Sequence, residues 1–525
     1  MKKRVGVFGW GIVAPRARNV EAFAQNLDST ASHLTAFDGF GPSPFLVGEP
    51  DFDFADYREW IDARFPPNRF PQLHKKFGTP THYAVASFIQ ALGQNPGLEA
   101  ELQQLGTAAH IYLGGGLHDI PTYYEEGLAL ARAQRRWNRF WSQPQHNSAY
   151  EDFIATPAAA RADGTDLPPD PAQLSGDDAD DARDAWWAYW AGRSPQLKEY
   201  LREYCDIESL DIVGEVESAK AAVIKQKRSR TQELQRRWQA PDPPWNIVSP
   251  NVLWNIGSIA ASQVSMLGKI TGMTFAPFAA CSSFSYSLKL GMDAIRSGDA
   301  TAVVVGAADP KPHPLSVGTF FGARVLSADG VVSKPLTGLR GTHVAGGAAV
   351  WIIGDLEYFT RKGFRPLGME PLSVGVSSDA HHIITPSAEG PYAAMRMALA
   401  AAGIDGAEIK TWDLHATATP GDYLEVQNAR RVVGADTCMT ARKGSLGHGM
   451  GAAGGWELTA QYLGYERGHL YGTPLKSEEL NREIARVHLE FAFEGNDTAA
   501  HGPAGKLSMG VGGINACVIS RPLVR

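Results

Sequence analysis

The amino-acid sequence predicts a layered α/β protein interrupted by a helical insertion. Two observations carry this. Short β-rich runs alternate with amphipathic stretches of helical length near both ends of the chain, the pattern of stacked sheets and helices. Between about Pro121 and Trp245 the texture changes to charged, tryptophan-rich segments with helical spacing.

Taken in order, Val5–Phe8 is a strand run ending in Gly9-Trp10-Gly11. Asn19–Leu27 puts Val20, Phe23, Ala24 and Leu27 on one helical face. Thr81–Leu92 reads as a second helix, and Ala108–Leu113 as a strand stopped by Gly114-Gly115-Gly116. In the insertion, Glu125–Trp141, Asp181–Tyr204 and Val216–Trp238 are expected helices, carrying Trp137, Trp141, Trp186, Trp187, Trp190 and Trp238. The Asp-, Pro- and Gly-rich Asp163–Asp180 is expected to be a flexible loop. Beyond Trp245, Thr301–Gly306 is a strand, His343–Gly354 a long apolar run, Gly390–Ala402 a helix and Lys410–Leu414 a strand. Val518–Ile519 lies in the last strand, and no repeat of fixed period occurs.

Composition narrows the function classes. The 525 residues carry 49 Lys+Arg against 56 Asp+Glu, a formal charge of −7, with 44% hydrophobic and 20% charged residues. That is the profile of a globular protein of about two to four domains. Mild acidity argues against a basic nucleic-acid binder or a polybasic membrane-surface protein. No apolar run approaches the ~18 residues of a membrane helix, so no integral membrane segment is expected. Cys205, Cys281, Cys438 and Cys517 are far apart and form no C-x-x-C pair, unlike a disulfide scaffold or zinc module. Met1-Lys2-Lys3-Arg4 followed by Val5–Pro15 imitates a signal peptide, but the run holds three glycines and leads into Arg16 and Arg18. The reading is a cytoplasmic protein with reduced thiols.

Cys281 stands where the apolar Thr274–Ala280 gives way to a helix whose buried face is Phe284, Leu288, Gly291, Met292 and Ile295. A cysteine at a helix N-terminus meets free N–H groups and a dipole that favour thiolate, which can bring its pKa from ~8.5 toward 7 or below. Taken alone, it reads first as a buried structural cysteine. His415 follows the expected strand Lys410–Leu414, at a strand end where α/β sheets hold ligands. His448 lies in the glycine-rich Lys443-Gly444-Ser445-Leu446-Gly447-His448-Gly449-Met450-Gly451. Singly, each histidine reads as an ordinary core or surface residue.

Together these segments resemble the β-ketoacyl-ACP synthases, the condensing enzymes of fatty acid and polyketide synthesis. Val5–Pro15 is similar to that family's first strand and turn, and Val47–Asp53 to an early stretch. Ala280-Cys281-Ser282-Ser283 resembles the nucleophile motif, and Arg296-Ser297-Gly298-Asp299 the end of its helix. His415 through Pro420, Lys443 through Gly454 and Ser508 through Asn515 resemble the first histidine motif, the lysine–histidine motif and the C-terminal glycine-rich loop. The resemblance covers roughly residues 4–117 and 246–522.

It implies the thiolase fold, two similar α/β halves in five layers, in a homodimer. Residues 1–120 with 245–355 would form the half carrying the nucleophile. Residues 121–244 would be the insertion, and 356–525 the half carrying both histidines. It also implies an acyltransferase without a bound cofactor, its substrates carried on the phosphopantetheine of acyl carrier protein (ACP) or coenzyme A. Cys281 would take an acyl group from a thioester. Malonyl-ACP would then lose CO2, and its enolate would attack the acyl-enzyme. The N–H groups of Cys281 and Val511 would hold the acyl oxygen. His415 and His448 would stabilise the enolate, with Lys443 orienting His448 and Glu457 anchoring Lys443. Thr417 and Thr419 would hold the phosphopantetheine arm, and Lys75 and Lys76 would dock ACP. Lys225, Lys227, Arg228 and Arg230 form a second cationic run.

Some residues depart from the pattern. Ala416 replaces a glycine, and one residue fewer separates Pro420 from Asp422. Met509 and Val511 replace two aromatics, the second of which usually gates the acyl pocket. Asp379–Pro386 resembles the family's other mobile loop. The insertion has no counterpart. Its tryptophans either cap the entrance or pack only among themselves.

Three rival readings differ in class. Gly9-Trp10-Gly11-Ile12-Val13-Ala14 fits a dinucleotide-binding G-x-G-x-x-A, but Pro15 and the arginines disrupt the helix it needs. A non-catalytic chain-length partner subunit would be expected to lack the cysteine. A thiolase-like acyltransferase would use Cys517 as a base, but Cys517 follows a loop of condensing-enzyme type. A metal site at His381-His382 is not expected, because adjacent side chains on an extended chain point to opposite faces.

Overall fold

The strands of the chain, in order, are β1 (Val5–Val13), β2 (Thr35–Ala36), β3 (Leu46–Val47), β4 (Ala109–Gly114), β5 (Thr274–Phe275), β6 (Ala302–Asp309), β7 (Gly347–Asp355), β8 (Met369–Ser378), β9 (Thr411–Asp413), β10 (Cys438–Thr440), β11 (His469–Leu470), β12 (Glu490–Phe491), β13 (Thr498–Ala499), β14 (Ala504–Gly510) and β15 (Ile514–Pro522). The structure is a computed structural model and describes residues 3–157, 166–212, 216–495 and 498–523. Contacts divide the chain into two units, Met1–Thr122 with Leu253–Arg525, and Tyr123–Val252.

The larger unit holds two main sheets. The first has the order β1-β7-β6-β4-β5, and the second β8-β15-β14-β9-β10-β12. The senses repeat strand for strand. β1 and β8 are antiparallel to β7 and β15, which are antiparallel to β6 and β14; β4 and β9 then run parallel, followed by β5 and β10. This duplication is the two-half α/β arrangement of the thiolase fold.

Helices Ser283–Ser297 and Ala453–Arg467 lie between the sheets. Phe284, Leu288, Met292 and Ile295 join Trp456, Leu458 and Tyr462 in one core with Val303, Val305 and Trp351. Helices Thr79–Leu92 and Ile259–Gly268 cover the outer face of the first sheet, and Glu389–Ala402 and Gly421–Val432 that of the second. Five layers result. Strands covered on both faces are apolar along their length, as the continuously buried Ala302–Ala308 and Gly347–Gly354 are, with the buried Asp309 closing the first.

Several expectations are adjusted. β1 runs through Gly9 and Gly11, so these are strand residues and not a phosphate-binding turn. A Cβ on Gly11 would lie 1.8 Å from Ser87 O, so glycine lets the helix Thr79–Leu92 approach the strand. In the smaller unit, the helix expected at Asp181–Tyr204 is two, Gly176–Arg193 and Pro195–Glu208. Pro195 has no N–H to continue the first helix, and Ser194 Oγ accepts from Leu197 N–H at 3.0 Å to start the second. Helix Ser148–Ala155, capped by Asn147, was not anticipated. Of the loop Asp163–Asp180, residues 163–165 lie outside those described, and from Gly176 the chain is helical.

The unit boundaries also differ from 121 and 244. Helix Ile120–Trp141 begins before the first boundary, and the return segment to Val252 belongs to the smaller unit. Trp245 explains the latter, since its ring packs edge-on to Trp137 at 5.7 Å. Trp137, Trp141, Tyr200 and Leu234 form that unit's core. No described helix is long and apolar enough to cross a membrane.

Candidate active site

Cys281 sits in a single 3-10 turn, Ala280–Ser282, that opens helix Ser283–Ser297. Ala280 adopts φ 48°, a left-handed backbone that non-glycine residues rarely take and that clusters at functional turns. The turn is pinned from outside. Ser282 Oγ donates to Ile514 O at 2.8 Å, and Ser283 Oγ lies 3.0 Å from Gly115 O while accepting from Ala279 N–H at 3.0 Å.

His415 follows β9. Its N–H and that of Ala416 donate to the two oxygens of Glu425 at 2.6 and 2.8 Å. Asp422 accepts from the N–H groups of Thr417 and Ala418 at 2.8 and 3.1 Å, and from Leu336 N–H at 2.9 Å. The left-handed residue of this turn is Ala418, φ 58°, so the alanine at 416 does no damage. His448 is held by its backbone. It donates to His343 O at 2.7 Å and accepts from Ala345 N–H at 2.9 Å. Met450, two residues on, is left-handed at φ 48°. The His415 and His448 rings stand 5.2 Å apart at 80°. Among the described residues His448 Nδ1 has no hydrogen-bond partner.

These pieces meet in one cavity of about 410 Å³, lined by Cys281, His415, His448, Thr417, Thr419, Met509 and Val511. Phe320, Val325, Ile383 and Ile384 add apolar wall. Lys443 and Glu457 lie behind it, both buried. Lys443 Nζ donates to His415 O and, at 2.5 Å, to Glu457 Oε1. The Thr417 and Thr419 hydroxyls are 3.0 Å apart. Asp379–Pro386 meets the C-terminal glycine loop, with Gly512 N–H on Ile383 O at 2.6 Å and Asn515 Nδ2 on Asp379 Oδ1 at 2.6 Å. Lys75 and Lys76 end helix Arg69–Lys76, exposed and apart from the cavity lining.

Burial sets the protonation states. It pushes the Cys281 thiol up to about 11, although the N–H of Val511, the Lys443 charge and the N–H of Cys281 itself pull the other way. Burial thus opposes the lowering expected from the helix N-terminus: Cys281 is 7% exposed, and lost hydration outweighs the two N–H groups and the Lys443 charge. Both histidines are driven well below their ordinary value, by burial first and then by Lys443. They are neutral N–H donors. Glu457 is held below the usual carboxylate range because Lys443 and Lys506 overcome its burial. Burial raises Asp309 and Asp422 to about 6 and Glu425 to about 8, against the backbone N–H groups they accept from.

Sequence reasoning missed several of these groups. Asp309 ties the nucleophile side of the site together, accepting from Gly116 and Leu117 N–H at 2.8 Å each. His382 lines the cavity, its Nδ1 accepting from Ile384 and Thr385 N–H. Asp413, Arg442 and Lys506 form buried ion pairs behind His415. A lysine inside the apolar run Ala504–Gly510 was the available signal for the last.

Comparisons with known proteins agree with this architecture. Residues 221–357 match the family described as beta-ketoacyl synthase, N-terminal domain, and residues 370–473 match beta-ketoacyl synthase, C-terminal domain. The chain is 32% identical over 211 residues to 3-oxoacyl-[acyl-carrier-protein] synthase 2 of Rhizobium meliloti (strain 1021), covering 38% of this chain and 50% of that one. It is 30% identical over 216 residues to Nodulation protein E of Rhizobium sp. (strain N33), covering 40% and 53%. The chain thus spans about half the length of the curated relatives it matches. Among solved structures, the ishigamide ketosynthase/chain length factor matches with a TM-score of 0.67 at 19% identity over 100% of both chains. A type II PKS ketosynthase in complex with its acyl-carrier protein, AntDE:AntF, matches with a TM-score of 0.64 at 15% identity, again over 100% of both chains. At such identities the likeness is one of fold.

Proposed function

Because the chain belongs to the β-ketoacyl synthases of the thiolase superfamily, we propose that it is a condensing acyltransferase that joins an acyl group on Cys281 to a malonyl thioester with loss of CO2. The observation that carries this reading is the cavity in which the Cys281 thiol, hydrogen-bonded by backbone N–H groups, shares space with two neutral histidines.

In the first half-reaction, the Cys281 sulfur attacks the thioester carbon. The Cys281 and Val511 N–H groups carry the developing oxyanion, donors worth ~3–4 kcal/mol each in comparable sites. The C–S bond to phosphopantetheine breaks, and the thiol proton ends on the departing sulfur. In the second, the malonyl C–C bond to its carboxylate breaks and CO2 leaves. The electron pair becomes an enolate whose oxygen accepts from His415 and His448. The enolate carbon attacks the acyl-Cys281 carbonyl, the C–S bond breaks, and the released thiolate takes up a proton. The product is a β-ketoacyl thioester two carbons longer. Neutral imidazoles suit this step, since they donate without placing a full charge in an apolar cavity.

Thr417 and Thr419 would hold the phosphopantetheine arm, and no bound cofactor is needed. Lys75 and Lys76 would meet an acidic carrier protein, the chain acting as a cytoplasmic homodimer. Val511 in place of an aromatic gate favours an altered acyl preference, and so a specialised fatty acid or polyketide route. Incubation with acyl-ACP and malonyl-ACP tests the reading. A β-ketoacyl-ACP product, absent with Cys281→Ala, is the expected result. A folded protein that yields none with any acyl donor would overturn it in favour of a catalytically silent partner subunit.

A further inference from the structure

Behind the two histidines lies more buried charge than one lysine–carboxylate pair. Lys506 on β14 stands across from Asp413 on β9 in the parallel register, and its side chain is wholly buried. Its Nζ is 2.7 Å from Glu457 Oε2, while Lys443 holds Glu457 Oε1 at 2.5 Å. One carboxylate thus has an ammonium group beside each of its two oxygens. Lys506 also donates to Leu507 O at 2.5 Å, with Leu414 O at 3.5 Å and Asp413 Oδ1 at 3.6 Å. Lys443 donates to His415 O. The two lysines therefore reach the carbonyls of residues 414 and 415, on either side of the His415 peptide unit.

The second oxygen of Asp413 is taken by Arg442 Nε at 2.8 Å and Thr440 Oγ1 at 2.7 Å. Around the histidine pair stand Arg442, Lys443 and Lys506 against Asp413 and Glu457, together with Glu425 and the Cys281 thiol. Glu425, raised to about 8, is mostly protonated at neutral pH. Within the paired cluster itself three cations face two carboxylates, while Asp422 and Asp309, raised only to about 6, add negative charge at the backbone turns beside His415 and His448.

We infer that Lys506 is a positioning residue for the decarboxylation step: it keeps Glu457 ionised through the oxygen that Lys443 does not hold, and supplies a second positive charge that holds His415 and His448 as neutral hydrogen-bond donors. This rests on the condensing reading above. Without Lys506, Lys443 and Glu457 would form a simple neutral pair, and the histidines would face a weaker positive field.

The test is Lys506→Met, with Lys506→Gln as a second variant that keeps a hydrogen-bond donor for Glu457 but no charge, Asp413 remaining paired with Arg442 in both. Two rates are followed from pH 5.5 to 9: acylation of Cys281 by intact mass, and CO2 release from malonyl-ACP. Decarboxylation should fall by about 100-fold and acylation by less than 10-fold, a loss of the size seen for other electrostatic groups at developing oxyanions. The acid limb of decarboxylation should move up by about half a pH unit or more, because a lost positive neighbour lets the histidines protonate sooner. Superimposable pH profiles, or equal loss of both rates, would reduce Lys506 to a structural residue. If neither variant folds, the wild-type profile decides. An acid limb above pH 6.5 would show unprotected histidines and overturn the inference. Wild-type protein that forms no acyl-Cys281 would instead overturn the condensing reading itself.

Discussion

The Cys281 thiol sets two effects against each other, and its alkylation rate decides between them. Burial places it at about 11, whereas a helix N-terminus acting alone would bring it toward 7. At pH 8 a thiol of pKa 11 is about 0.1% thiolate, against about 24% for an ordinary cysteine near 8.5. The deficit is about 240-fold. A more basic thiolate is also more nucleophilic, and a Brønsted slope of 0.4–0.5 over 2.5 units returns about 10- to 18-fold. The net expectation is alkylation about 13 to 24 times slower than a free cysteine at pH 8. Iodoacetamide modification followed by peptide mass mapping gives this rate, with the exposed Cys205 as a second thiol in the same chain. Restricted access to the cavity scales the rate but not its dependence on pH. The rate should rise about tenfold per unit through pH 9 and level only near 11. A plateau by pH 8 would show that the helix N-terminus prevails, and would refute the reasoning from burial.

Three other outcomes follow from the same geometry. Glu425 is raised to about 8 when folded, so between pH 6.5 and 8 the folded state holds a proton that the unfolded state has lost. The buried histidines, which the unfolded chain protonates near 6.5, work in the opposite direction across the same window, so the Glu425 contribution is read as a difference between variants. Wild-type stability relative to Glu425→Gln should fall by about 1.6 kcal/mol from pH 6.5 to 8, and urea titrations showing a flat or rising difference would contradict it. Gly449→Ala would place a Cβ 2.2 Å from Trp456 Cζ3, on a ring fixed by its Nε1–H on Ala348 O at 3.0 Å. It should lower stability by about 1–3 kcal/mol and slow decarboxylation through the adjacent His448, as measured by thermal melting and CO2 release. Thr417→Val keeps the side-chain shape but removes a cavity hydroxyl. KM for carrier-bound substrate should rise about fivefold, the value of one hydrogen bond, with the decarboxylation rate at saturation little changed.

The site was legible in the sequence wherever chemistry travels in short segments. Cys281 with its helix face, His415 after a strand and the Lys443–His448 loop are local patterns, and one cavity gathers them. Helix faces were legible for the same reason, since the spacing of Phe284, Leu288 and Ile295 is local and all three are buried. What depends on distant pairing was not. Lys506 owes its importance to the β9–β14 register and to a helix some fifty residues earlier in the chain, neither of which a strand pattern reveals. The raised Cys281 thiol has the same origin, because the loops that bury it come from elsewhere in the chain. The break at Pro195 was local and readable.

The central claim is that Cys281 carries an acyl group between two thioesters. Intact-protein mass spectrometry after mixing with acyl-ACPs and acyl-CoAs of graded length tests it most directly, with Cys281→Ala as the control. The account predicts a mass gain of one acyl group on the wild-type chain, none on the variant, and loss of that gain when malonyl-ACP is added. A folded wild-type chain that gains no mass from any donor, or gains it equally without Cys281, would contradict the account.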